Sequence, residues 1–148
     1  MLFNNIKNLM NTNDKLNITR DRSLYPTENK KLVKKIKDNE YKYPLVYTIN
    51  KSNQMTLRYT NDNTKGHFGY SKFIFSNGAG FYCDKDGKYG LTEWSYCIYD
   101  EIKNLDNIEK AFRNNKFNKI INAIQLTSNK YNINVMKLFK KDFYKDFI

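Results

Sequence analysis

The spacing of apolar residues changes period twice along the chain, and the changes divide it into three zones. In residues 1–13, Leu2, Phe3, Ile6, Leu9 and Met10 recur at helical spacing and predict a short leading helix. A polar stretch, Asn11–Ser23, follows. Pro26 then reads as a start signal for a helix predicted over Thr27–Asp38, with Leu32, Val33 and Ile36 on one face. From Pro44 the period becomes two. Pro44–Ile49 and Met55–Thr60 are separated by the polar run Asn50–Gln54, a connection of hairpin length. Beyond a loop, Asn61–Tyr70, the strands Lys72–Asn77, Phe81–Asp84 and Trp94–Tyr99 are predicted, with a turn at Lys85–Lys88 whose Asp86-Gly87 pair favours positive φ. The helical period then returns in Leu105–Arg113, Phe117–Leu126 and Val135–Phe147.

Amphipathic helices need an apolar surface to cover, and the central strands supply one. The predicted fold class is α+β: a small, mostly antiparallel sheet of four to five strands flanked by N-terminal and C-terminal helices. Residues 1–43 read as a basic helical extension and residues 44–148 as a single globular unit. At 148 residues the chain is long enough to bury one real core. Hydrophobic residues make up 40% of it, but 16% is aromatic, so twelve Tyr and ten Phe supply the area that aliphatics do not. That aromatic content argues against disorder for most of the chain.

Charge adds a partner. The formal net charge is +11, and ten basic against five acidic residues lie in 1–43, six against five in 44–100, and ten against five in 101–148. The excess flanks the centre, a distribution suited to a polyanion, with nucleic acid the first candidate and a lysine-coated surface the alternative. The run Lys30, Lys31, Lys34, Lys35 and Lys37 is either a solvated face or, on a DNA-binding domain, a phosphate rail. Residues 1–13 lack the continuous apolar core of a signal peptide, and no run matches a membrane span, so an intracellular chain with reduced Cys83 and Cys97 is expected.

All six glycines and the only tryptophan lie between Gly66 and Ile98. Glycines this dense mark sharp turns or close backbone approaches, which makes the region the natural place for a site. Catalytic chemistry is not legible there. The chain has no phosphate-loop or dinucleotide fingerprint, no nucleophile elbow, and no acidic cluster suited to magnesium. Two cysteines and one histidine cannot complete a four-ligand zinc site. Asp84 and Asp86 read as turn formers. No cofactor and no metal are expected.

What remains suits recognition. Arg58, Lys65, His67, Lys72, Asn77, Lys88, Tyr89, Thr92 and Trp94 surround the glycine turns. Arg, Lys, Asn and Thr can hydrogen-bond base edges, and Tyr and Trp can stack on an extruded base. The alternatives are structural: Trp94 and Tyr89 as partly core, His67 as a loop cap, and Asn77 as a turn former. Lysines of Lys30–Lys37 and Lys137–Lys145, among them Lys30, Lys34, Lys140 and Lys141, would neutralise phosphates.

Several spaced motifs carry a resemblance. Lys65-Gly66-His67-Phe68-Gly69, then Lys72-Phe73-Ile74-Phe75 with Gly78 and Gly80, then Asp86-Gly87-Lys88-Tyr89-Gly90-Leu91-Thr92, together with Ala111–Ala123 and the closing Leu138–Ile148, resemble the C-terminal part of adenine-specific DNA methyltransferases of the type II restriction–modification kind, including homologues in giant viruses. The likeness spans about Tyr43 to Ile148. The family's Asn/Asp-Pro-Pro-Tyr/Phe signature is absent, because the only prolines are the isolated Pro26 and Pro44. The cofactor-binding glycine motif is absent too. The resemblance therefore implies a target-recognition region that contacts double-stranded DNA. It implies no S-adenosylmethionine site or methyl transfer on this chain, and a separate methyltransferase or nuclease subunit as partner. The competing expectations are a protein-interaction module and an inactive gene fragment.

Overall fold

The strand Lys72–Ser76 is buried along its whole length, and the layers of the fold form on either side of it. A computed structural model describes residues 2–10, 12–26, 28–77, 79–125 and 131–148. Its elements in chain order are α1 (Leu2–Met10), β1 (Val33–Lys34), β2 (Tyr43–Ile49), β3 (Met55–Thr60), β4 (Lys72–Ser76), β5 (Phe81–Asp84), β6 (Gly90–Leu91) and β7 (Ser95–Tyr99). They are followed by α2 (Ile102–Arg113), α3 (Asn115–Ala123), α4 (Ile133–Met136) and a 3-10 turn at Phe143–Asp146. The class is α+β, as the alternating periods predict.

The strands form two sheets instead of one. The first has the order β1-β3-β2-β6 and the second β5-β4-β7, all pairs antiparallel except β2 with β6. One face of the second sheet presents Phe73, Phe75, Tyr96 and Ile98 to Leu105, Ile108, Phe112, Phe117 and Ile120 of the helices. Its other face presents Ile74 and Cys97 to Val46, Ile49 and Leu91 of the first sheet. A strand with apolar neighbours on both faces reads as a continuous apolar run, which is why Phe73-Ile74-Phe75 lacks alternation. The sheets are also joined by buried hydroxyls. Ser76 Oγ accepts from the Ile49 N–H at 2.7 Å, while Thr92 and Ser95 both donate to the Val46 carbonyl, at 3.1 and 3.0 Å.

The helix predicted over Thr27–Asp38 does not form; Thr27 lies outside the described residues. Residues 28–38 run through turns into β1, where Val33 pairs with Thr60 and Lys34 with Tyr59. A helix would have placed Val33 and Ile36 on one buried face. Instead Val33 joins Leu24 and Leu45 in a small core while Ile36 is 79% exposed. Pairing with the β3 edge wins because the lysine-rich segment has too little apolar surface to hold a helix in place. Val135–Phe147 likewise breaks into α4 and the 3-10 turn. Between them the Lys140 and Lys141 N–H groups donate to the Leu9 and Asp14 carbonyls, at 2.6 and 2.9 Å, in place of continuing a helical ladder. Predicted helix Phe117–Leu126 is seen as Asn115–Ala123, and Leu126 falls outside the described residues. Residues before Tyr43 pack into the same cores, with Leu9, Leu16 and Ile18 against the helices.

Gly87 shows why the glycine-rich centre needs glycine. It has φ +68°, and an added Cβ would lie 2.6 Å from the Gly69 carbonyl carbon and from the Tyr70 nitrogen. Gly87→Ala is expected to cost about 1–3 kcal/mol, combining left-handed strain with a backbone clash. A urea unfolding midpoint equal to that of the parent chain would contradict this assignment.

Candidate nucleic-acid interface

The site begins with an interruption in β2. Val46 pairs with Leu57 and Thr48 with Thr56, so Tyr47 is an extra residue in the ladder, a β-bulge. The slip puts Val46 and Ile49 in the inter-sheet core while Tyr47 is left half-buried at the surface. The guanidinium of Arg58 lies 4.1 Å above the Tyr47 ring centroid, and its Nη1 donates to the Leu57 carbonyl at 3.0 Å. Trp94 Nε1 donates to the Tyr47 hydroxyl at 3.2 Å, and Trp94 is 38% exposed.

Beside this stack Pro26 and the segment from Lys30 to Lys35 border a groove of about 340 Å³. Val33, Tyr47 and Arg58 belong to its lining, Lys30, Lys34 and Lys35 supply cations, and Glu93 contributes a carboxylate. The Lys34 ammonium also sits 4.0 Å from the Tyr41 ring centroid, which steadies that wall. Three stretches far apart in sequence thus converge: Pro26 with residues 30–35, the β2–β3 hairpin, and the 93–94 loop. Lys30, Lys34, Arg58 and Trp94 of the sequence-predicted set meet here. Tyr47 was missed, while Lys35 was legible as a member of the basic run. Tyr47 reads as one more core aromatic of β2, and its exposure follows from a bulge that alternation does not reveal.

The other predicted residues lie elsewhere, and Lys72, Thr92 and the buried Tyr89 are corrections. Lys72 is fully buried; its ammonium pairs with Asp84 Oδ2 at 2.8 Å and donates to the Tyr70 carbonyl at 3.2 Å. Thr92 is fully buried with its hydroxyl on Val46. Neither polar group faces an outside partner. Tyr89 is buried edge-on against Tyr82, and Lys88 lies 5.3 Å from the Tyr89 ring centroid. Asn77 donates its backbone N–H to the Trp94 carbonyl, which ties the two glycine-region loops together. Lys65 and Lys141 are exposed, and Lys140 pairs with Asp146 at 2.9 Å in a separate cleft of about 440 Å³ that Lys116 also lines.

His67 has a structural arrangement of its own. With φ +69° it aims Nε2 at Asp21 Oδ2, 2.9 Å away, while Nδ1 meets the Tyr99 hydroxyl. Burial works against the Asp21 charge, but hydrogen bonds from Ser23, the His67 charge and the Gly66 N–H together hold its carboxyl below the usual range. Burial pushes the Tyr99 phenol up, so it stays protonated at neutral pH. These contacts fasten the strap around Asp21, where Thr19 also bridges Cys97, across the β7 edge. Burial likewise raises the thiols, Cys97 to about 12 and Cys83 to about 11, so neither presents a thiolate nucleophile at neutral pH.

Among the described residues no group of three or more His, Cys, Asp or Glu could hold a metal ion, and no helix is long and apolar enough to cross a membrane. No protein-family model, curated protein or solved structure matches the chain.

Proposed function

We propose that the chain is a DNA-binding recognition module that engages duplex DNA with the surface around the Tyr47–Arg58 groove and serves a catalytic subunit located on another chain. The observation that carries this reading is the convergence of Lys30, Lys34, Lys35 and Arg58 on one concave surface with Tyr47 and Trp94 beside them. The lysines supply attraction to phosphate that carries no sequence information, and the arginine and the rings supply groups able to discriminate bases. Support for a separate catalyst comes from the chain's own chemistry: both thiols are held protonated, and the one histidine is occupied by Asp21 and Tyr99. The sequence resemblance to target-recognition regions points the same way.

A salt series tests the reading. Binding of a fluorescently labelled duplex, followed by anisotropy, should weaken with log affinity falling about 0.9 per phosphate contact against log salt. Replacing Lys30, Lys34 and Lys35 together by Glu should weaken binding tenfold or more and flatten that slope. The same charge change at Lys116, Lys119 and Lys141, exposed and away from the groove, should do much less. Equal losses from both sets would reduce the interaction to net charge and remove the groove from it.

A further inference from the structure

Resting on that reading of the groove, we infer that it holds an unpaired nucleotide, whose base lies against the Arg58 guanidinium. The shape of the site is the first reason. Duplex DNA is read by elements that project into its grooves, a helix or a two-stranded ribbon. Here the aromatic and guanidinium groups line a depression of about 340 Å³, at the small end of ligand-sized pockets and too small to admit a double helix. A concave site with planar groups suits a base that has left its stack.

Rigidity is the second reason. Arg58 is not a free surface cation, because the Tyr47 ring supports one face of its guanidinium and the Leu57 carbonyl holds Nη1. The Trp94 indole N–H in turn holds the Tyr47 hydroxyl. The bulge that exposes Tyr47 is set by backbone pairing on both sides, so the platform exists before any ligand arrives. A planar cation fixed in this way offers its plane to a base, which a flexible lysine cannot do. The lysines of the 30–35 wall stand where the phosphates flanking such a base would pass.

The experiment compares three labelled probes at one salt concentration: a blunt 20-bp duplex, the same duplex with one bulged nucleotide, and a 20-nucleotide single strand. The parent chain should bind the bulged and single-stranded probes about tenfold more tightly than the blunt duplex. Arg58→Lys keeps the charge and loses the plane; it should retain the salt slope and lose that preference. Urea unfolding establishes that the variant is folded. Emission from Trp94, the only tryptophan, provides a second measurement that needs no variant. It should shift or quench with the unpaired probes and stay unchanged with the blunt duplex. Equal, salt-dependent affinity for all three probes overturns the inference and leaves the binding reading intact. An Arg58→Lys chain that keeps its preference also overturns it. Absence of salt-dependent binding to any probe overturns both.

Discussion

Asp84→Ala is expected to lower the stability of the chain by about 3–5 kcal/mol, because it strips a buried ammonium of its counter-charge. Lys72 and Asp84 are 0% and 2% exposed and pair at 2.8 Å. Asp84 does more than balance a charge. Its Oδ1 accepts the Lys88 N–H and its Oδ2 the Tyr89 N–H, both at 3.0 Å, so it organises the turn that follows β5. The variant therefore leaves an unpaired cation and two unsatisfied backbone donors together. Lys72→Met should cost less, since the remaining carboxylate keeps both N–H donors and the methionine fills the apolar part of the space. Urea unfolding of the two variants under one set of conditions checks the order. A loss below about 1 kcal/mol for Asp84→Ala would show that the pair is open to water.

Phe112→Ala is the second large loss, about 3–5 kcal/mol, and it tests the helix-side core. Phe112 is 2% exposed and stands among six rings, Phe73, Phe75, Phe81, Phe117, Tyr131 and Phe143, with centroids 4.6–6.3 Å away. It links the second sheet to α2, α3 and the C-terminal turn, so its removal opens a cavity that the aromatic neighbours, fixed by one another, cannot close. For a chain of this length the loss corresponds to a fall in melting temperature of roughly 10 °C. Phe112→Leu should recover more than half of it. Thermal unfolding monitored by circular dichroism provides the measurement, and a fall of only about 2 °C for the alanine variant would place the core elsewhere.

Both variants sit away from the groove, which separates stability from recognition. Under the proposed function, a folded Arg58→Lys or lysine-wall variant is expected to alter DNA binding without touching either the buried pair or the aromatic cluster. The groove residues can afford exposure because the layers beneath them are held by other contacts.

The candidate site was legible in part. Lys30, Lys34, Arg58 and Trp94 stand out by residue type near turns or in a basic run, and the fold brings them to one groove with Tyr47. Lys72 and Thr92 have the same residue types and the same neighbourhood, yet both point inward. No local pattern separates an exposed lysine of a strand from one that answers a buried carboxylate twelve residues away. His67 was legible as a loop residue with a special role, but its partners Asp21 and Tyr99 come from opposite ends of the chain's first hundred residues.

The types of most elements were determined by the sequence itself. Period-two apolar spacing in 43–60, the apolar runs of β4 and β7, and the 3.6-residue spacing in 102–123 each match what forms there, because alternation and helical spacing decide which side chains share a face before any partner is present. Tertiary structure alone decided what those faces meet. It sent Val33–Lys34 to a sheet edge in place of a helix, divided the strands into two sheets joined by hydroxyls on Val46 and Ile49, and set the bulge that exposes Tyr47 beneath Arg58. Each of these is a competition between local preference and contacts with distant segments. Where the local preference is a few tenths of a kcal/mol per residue, the distant contacts prevail.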